Sequence, residues 1–159
     1  MQRQVRLVTV IATVVAALGG GLARAEAPRV EAPRAEVEAK AWRVRATVVG
    51  PVLVGKPARL EVTLEARPPY HLNDDYPVNL KTAAASGLRF DKPRIDKADG
   101  IVVTPCASEA AHACRALVPA AFTLTADARV GGVLAFSACD ANQCIIEKIA
   151  VSAPVVVGK

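Results

Sequence analysis

Two cysteines near the C-terminal end of the chain, Cys139 and Cys144, enclose four small or polar residues. Apolar, β-prone residues precede the pair at 133–136 and follow it at 145–151. Asp, Asn and Gln between two such runs are typical of a hairpin loop. Residues that face each other on antiparallel strands have Cα atoms about 4.5–5.5 Å apart, within the range of a disulfide. The sequence therefore predicts a Cys139–Cys144 disulfide, or a dithiol that can form one.

A second pair, Cys106 and Cys114, encloses seven residues, and His112 is one of them. Four cysteines allow three pairings, and the spacing favours the two local ones. We interpret Cys106–Cys114 as a structural disulfide that closes a loop over 105–115. A zinc site of four cysteines is the alternative, but neither a seven-residue nor a lone four-residue spacing fits the usual zinc knuckles well. No metal or cofactor site is predicted.

The chemistry open to Cys139 and Cys144 is either an inert cross-link or thiol–disulfide exchange. A cross-link that closes so short a loop stabilises a fold by only about 2 kcal/mol, and accessible disulfides are the labile class. Against exchange, no Lys, Arg or His lies within three residues of either cysteine, and Asp140 would raise the pKa of a neighbouring thiol. Activation of a thiolate would have to come from tertiary neighbours, so both interpretations stay open.

One histidine, His71, lies in a turn-rich corner at 68–77 that also holds Asp74 and Asp75. A His–Asp pair can serve as acid and base, and adjacent aspartates can contribute to a calcium site. No Ser or Cys nucleophile stands in a recognisable motif with His71, and the loop lacks the spaced oxygen ligands that calcium needs. We therefore interpret His71 as an ordinary turn histidine.

The first 25 residues are organised like a signal peptide. Arg3 and Arg6 form a positive segment, residues 7–18 are apolar and uncharged, and Ala23-Arg24-Ala25 fits a cleavage site. The apolar segment is too short for a comfortable transmembrane helix. We expect cleavage after Ala25 and a soluble protein without a membrane span, in the periplasm or otherwise exported, where disulfides persist.

Removal of residues 1–25 leaves 134 of the 159 residues, and the loss of three arginines lowers the formal charge from +5 to +2. With no dense Lys/Arg cluster, no nucleic-acid partner is expected. Residues 26–41 hold a doubled Glu-Ala-Pro-Arg unit and no aromatic residue, which predicts a flexible leader. Residues 42–159 are then one domain, which we expect to be a monomer.

From Trp42 onward, apolar and polar residues alternate with a period of two, first over 42–48 and then over 59–66. This alternation predicts half-buried strands. Short β-prone runs separated by turn residues recur to the end of the chain, and no amphipathic helix of useful length interrupts them. The pattern predicts an all-β fold, an immunoglobulin-like antiparallel β-sandwich. The side chains expected to face inward are Trp42, Leu60, Val62, Leu64, Leu134 and Phe136.

With these features assembled, residues 42–157 resemble the DsbD N-terminal domain family, the immunoglobulin-like periplasmic domain of thiol:disulfide interchange proteins. The resemblance rests on strand order, on the Tyr70-His71-Leu72 corner, and above all on the late hairpin with Cys139 and Cys144. It implies that these two cysteines are a redox pair that exchanges electrons with periplasmic, thioredoxin-like partners. It also implies that a loop near 98–115 shields the pair.

Two features of the chain depart from the best-known members of that family. Four residues separate Cys139 from Cys144 instead of five, and the loop at 98–115 holds no Phe, Tyr or Trp to cover them. Two functions therefore remain. The first is an exported thiol–disulfide exchange module, which is either an oxidoreductase itself or a component of one. The second is a non-enzymatic periplasmic binding or structural domain with two inert disulfides.

Overall fold

The computed structural model describes residues 34–107 and 112–158, and these residues are almost entirely β-structure. The expected signal peptide at 1–25, the leader residues 26–33 and the loop residues 108–111 lie outside this part of the chain. The strands are β1 (Glu36–Glu38), β2 (Trp42–Val49), β3 (Pro57–Ala66), β4 (His71–Leu72), β5 (Asn79–Thr82), β6 (Leu88–Phe90), β7 (Arg94–Ile95), β8 (Val102–Pro105), β9 (Ala113–Leu124), β10 (Ala128–Cys139) and β11 (Cys144–Val155). One 3-10 turn spans Lys97–Asp99.

The expected all-β antiparallel sandwich fold is confirmed. One layer has the order β1-β2-β3-β9, with β6 and β8 also paired to β9, and the other is built on β10 with β11, β5 and β7. Strand β4, only two residues long, pairs with β9 through Leu72 and with β10 through both of its residues. The two layers are therefore joined in one continuous antiparallel hydrogen-bond network.

The core lies between these layers and follows the period-two alternation of the sequence. All six side chains expected to face inward are buried. The Trp42 ring of β2 meets the Phe136 ring of β10 edge to face, with centroids 5.4 Å apart. Aromatic pairs of this geometry add to the stabilisation given by burial alone. This contact ties the strand that carries Cys139 to the opposite layer.

The strand β1 lies inside the stretch 26–41 for which the sequence predicts a flexible leader, and for these residues the prediction is wrong. Val37 packs against the core, while Glu36 and Glu38 stand opposite Arg45 and Arg43 on β2. The hydrogen bond from the Arg45 guanidinium lowers the pKa of Glu36, and that from Arg43 lowers the pKa of Glu38. Two acidic residues of the expected leader therefore form cross-strand ion pairs with β2.

Strand β10 is held closely by its neighbours at the glycine pair that precedes Val133. A Cβ atom added at Gly131 would lie 2.0 Å from the carbonyl oxygen of Val151 on β11. One added at Gly132 would lie 2.2 Å from the carbonyl oxygen of Lys81 on β5. Because no real side chain tolerates such distances, only glycine lets both strands approach β10 here, which helps to fix its register.

Leu64 and Glu65 are neighbours on β3 that face opposite sides of the sheet. Substituting each of them tests whether β3 is buried on one face only. Leu64 is fully buried, so Leu64→Ala should lower the free energy of unfolding by about 2–5 kcal/mol. Glu65 is half exposed, and its ion pair with Arg115 spans 3.7 Å, so Glu65→Ala should cost less than about 0.5 kcal/mol. Denaturant unfolding measures both; equal costs would contradict the described packing.

Candidate functional site

The hairpin between β10 and β11 carries the first candidate pair at its turn end, where the two strands meet the connecting loop. Cys139 and Cys144 are opposite residues of the ladder, their Cα atoms are 4.0 Å apart, and their sulfurs form a disulfide. The loop of four residues is closed by a hydrogen bond from Asp140 N–H to the carbonyl oxygen of Gln143. The carboxylate of Asp140 also accepts hydrogen bonds from the N–H groups of Asn142 and Gln143, at 2.8 and 3.0 Å.

The second disulfide joins Cys106 to Cys114, so the structure has the local pairing that the spacing favours. The expected loop over 105–115 is shorter than the sequence suggests, because Pro105 still belongs to β8 and Cys114 already lies in β9. The N–H group of Cys106 donates to the carbonyl oxygen of His112. This disulfide therefore links the two strands of the β8–β9 hairpin where they meet the connecting loop. It also holds the backbone at His112 in place.

The two sulfurs of the hairpin disulfide differ in accessibility. Cys139 is only 6% exposed, because β10 is flanked by β11 on one side and by β4 on the other. Cys144 is exposed, and within the described part of the chain the first half of β11 pairs with β10 alone. An attacking thiolate from another molecule can thus approach the sulfur of Cys144, whereas the sulfur of Cys139 lies inside the sheet.

His71 lies directly beside Cys139, a neighbour that the sequence analysis did not identify. The two residues are opposite each other in the β4–β10 ladder. Side chains of directly opposed residues lie on the same face of a sheet, with Cβ atoms about 4.5–5.5 Å apart. An imidazole next to a cysteine favours the thiolate when the ring is protonated. The tertiary structure therefore supplies the activating neighbour that the local sequence lacks.

The ring of His112 stacks on the ring of His71, with centroids 4.0 Å apart and an angle of 22° between the planes. Leu72 pairs with Ala113, the residue before Cys114, in the β4–β9 ladder. The short strand β4 therefore contacts both strands that carry a disulfide cysteine, β9 and β10. His112, which belongs to the loop expected to shield Cys139 and Cys144, thus contacts the histidine that lies beside Cys139.

Two polar groups lie near the sulfurs. The N–H group of Asn73 donates to the carbonyl oxygen of Ser137 at 3.0 Å, which aligns the residue after β4 with β10. The side-chain amide of Asn73 then donates to the sulfur of Cys144 over 3.9 Å. The hydroxyl of Ser137 lies 3.9 Å from the sulfur of Cys139. Donors at these positions favour negatively charged sulfur.

Asp140 carries the acidic charge that, from the sequence, counts against a thiolate at this hairpin. The hydrogen bond from the backbone N–H group of Asn142 lowers the pKa of Asp140 most. The hydrogen bonds from the N–H group of Gln143 and from the Tyr70 hydroxyl lower it further. The carboxylate therefore remains ionised, and the N–H groups of the loop donate hydrogen bonds to it. Its main role in this geometry is to hold the loop closed.

Within residues 34–107 and 112–158, no group of three or more His, Cys, Asp or Glu side chains could hold a metal ion. Over the same residues, no helix is long and apolar enough to cross a membrane.

No family model, curated protein or solved structure matches the chain.

Sequence reasoning missed the contributions of Asn73 and His112 and the position of His71 beside Cys139. All three depend on the pairing of β4 with strands that lie far away along the chain. The sequence indicates the turn-rich corner at 68–77, but it does not indicate that this corner lies close to the hairpin of β10 and β11. The Tyr70-His71-Leu72 step, between two prolines and the turn residues at 73–75, is the one local signal that could have suggested a short bridging strand.

The loop hydrogen bonds of Asp140 give a prediction for amide exchange. Asp140→Ala removes the acceptor for Asn142 and Gln143, so these two amides should lose protection. In the native chain the pKa of Asp140 is lowered from 3.8, so the contribution is complete above that pH and is lost as the pH falls through the lowered pKa. Hydrogen exchange measured by NMR over this range checks both statements, with Asp91→Ala as an exposed control. Unchanged protection in Asp140→Ala would contradict the described loop.

Proposed function

We propose that the chain is an exported thiol–disulfide exchange module that passes electrons to or from periplasmic partner proteins through Cys139 and Cys144. One observation carries the proposal: an exposed sulfur, that of Cys144, is bonded to a buried one, that of Cys139, which has His71 as its neighbour in the sheet. Exchange needs one sulfur that a partner can reach and one that leaves as a stabilised thiolate.

In the direction of reduction, a thiolate of the partner attacks the sulfur of Cys144. A new disulfide forms between the partner and Cys144, the Cys139–Cys144 bond breaks, and its electron pair leaves on Cys139 as a thiolate. His71 is placed to donate a proton to that thiolate. A second thiolate of the partner then attacks the partner's own sulfur and releases Cys144, so the partner dithiol becomes a disulfide and this domain gains two electrons. The reverse sequence oxidises the domain.

The Cys139–Cys144 disulfide contributes little to the stability of the fold, which suits a bond that opens during exchange. A loop as short as 140–143 gives a cross-link worth only about 2 kcal/mol, whereas the fold has an extensive buried core of its own. Opening the bond therefore leaves the sandwich intact. The resemblance to the DsbD N-terminal domain family and the presence of two disulfides, which are typical of exported proteins, support the same function. Thioredoxin-like proteins are the proposed partners.

Reducibility separates exchange from an inert cross-link. We expect Cys139–Cys144 to be reduced at a clearly higher potential than Cys106–Cys114, because Cys144 is exposed while Cys106 is buried and Cys114 half-buried. Structural disulfides of exported proteins lie below about −300 mV. Titration with a dithiol redox buffer, followed by alkylation and peptide mapping, measures each pair. Equal resistance of both pairs would favour the stapled binding or structural domain instead.

Trapping tests which cysteine the partner attacks. Cys139→Ser leaves the exposed Cys144 free to hold a mixed disulfide, while Cys144→Ser leaves only the buried Cys139. The partner is a thioredoxin-like protein whose resolving cysteine is replaced and whose attacking cysteine is activated as a mixed disulfide with thionitrobenzoate, which leaves as the thiolate when the new disulfide forms. We expect a stable mixed disulfide with Cys139→Ser and at least about tenfold slower formation with Cys144→Ser, in keeping with the role of access in exchange. Preferential trapping by Cys144→Ser would reverse the assignment of the attacked sulfur, and no trapping by either variant would contradict the function.

The proposed role of His71 predicts a slower reduction of the disulfide when the imidazole is removed. His71→Gln keeps a polar side chain opposite Cys139 but has no ring to donate a proton to the departing thiolate. Reduction of Cys139–Cys144 by a dithiol should therefore be at least about tenfold slower in this variant than in the native protein. Stopped-flow kinetics at one fixed pH measures both rates, and an unchanged rate in His71→Gln would remove the histidine from the mechanism.

A further inference from the structure

A groove runs along the outer face of β10, on the side of the sheet that also bears Cys139. It is lined by Tyr76, Lys81, Arg94, Val133, Ala135 and Lys148. Lys81 is opposite Val133 on β10 and also opposite Arg94 on β7, and Lys148 is opposite Ala135. Three cationic side chains from three different strands therefore surround a floor made of small apolar residues.

The positive charge of this groove is not neutralised by neighbours. Among the residues that the structure describes, Lys81, Arg94 and Lys148 form no ion pair, and all three are exposed. The opposite layer differs, since Arg43 and Arg45 pair with glutamates of β1 at 3.0–3.4 Å. A concave site lined by one sign of charge attracts ligands of the other sign and raises their rate of association.

The groove and the exposed sulfur lie on the same face of the sheet. Ala135 and Cys139 lie four residues apart on the same face of β10, which corresponds to about 13 Å. On β11, Cys144, Ile146 and Lys148 follow each other on that face, and Ile146 is 61% exposed. An extended peptide bound to the sulfur of Cys144 would therefore pass over Ile146 and reach the cationic groove about four residues further along its chain.

We propose that this groove binds an acidic, extended segment of the partner protein, next to the cysteine that exchanges with Cys144. The proposal rests on the function proposed above and identifies the chemistry of the partner. Charge complementarity selects an acidic segment, and the apolar floor with Ile146 suits a peptide that also offers aliphatic side chains. Three cations at one spot match a short acidic peptide better than a nucleic acid, whose evenly spaced phosphates need a longer basic track.

The test uses two synthetic peptides of equal length, each with one cysteine. One has glutamates about four residues from the cysteine, and the other has lysines at those positions. The rate of mixed-disulfide formation at Cys144 is measured with the Cys139→Ser protein and activated peptides. We expect the acidic peptide to react at least about tenfold faster at low salt, with the ratio falling as salt is added.

Charge-reversal variants locate the effect. Lys148→Glu and Arg94→Glu should each reduce the ratio of the two rates toward unity. Lys56→Glu is the matched control, because Lys56 is equally exposed and carries the same charge but lies in the turn before β3, outside the lining of the groove. In this control the ratio should stay as in the parent protein. The ratio cancels any general change in the reactivity of Cys144.

Three results would overturn the proposal. Equal rates for both peptides while a small uncharged dithiol still reduces Cys139–Cys144 would reject the groove and leave the exchange function standing. Resistance to that dithiol would reject the exchange function and with it this choice of partner. Competition by a short single-stranded oligonucleotide as effective as that by a cysteine-free acidic peptide would show a general polyanion site instead of a peptide site.

Discussion

The pairing of the two-residue strand β4 with both β9 and β10 is the constraint on which the candidate site depends. It joins the two layers of the sandwich and sets His71 beside Cys139. The same pairing brings Asn73 to Cys144 and lets His112 stack on His71. Without this bridge, the hairpin disulfide would lose both His71 and Asn73 as neighbours.

The molecule separates the source of its stability from the site of its chemistry. The core cluster of the two layers contains none of the four cysteines, and the Trp42–Phe136 contact ties β10 to the opposite layer. The disulfide of the hairpin lies beyond the end of this core, in a strand pair that stays ordered through its ladder. A bond in this position can break and form again while the surrounding scaffold keeps its geometry, as pre-organised sites require.

The two outer faces of the sandwich carry their charges differently. On the face formed by β1 and β2, glutamates stand opposite arginines and the charges cancel locally. On the face formed by β5, β7, β10 and β11, cations from three strands surround a small apolar floor without carboxylate partners among the described residues. The second face also bears the exposed sulfur of Cys144, so the sites proposed for chemistry and for recognition lie on one side of the molecule.

Local sequence patterns predict the all-β class, the strands of the core and their inward faces, because a period of two is a local property that burial on one face enforces. They also predict both local disulfides and the hairpin at 140–143, since cysteine spacing and turn residues act over a few positions. Formation of β1 depends instead on tertiary contacts, because Val37 alone supplies its apolar contact and its glutamates need arginines of another strand. Likewise, the position of His71 and the cationic groove depend on strand registers between distant segments, which packing of the two layers fixes and no local pattern encodes.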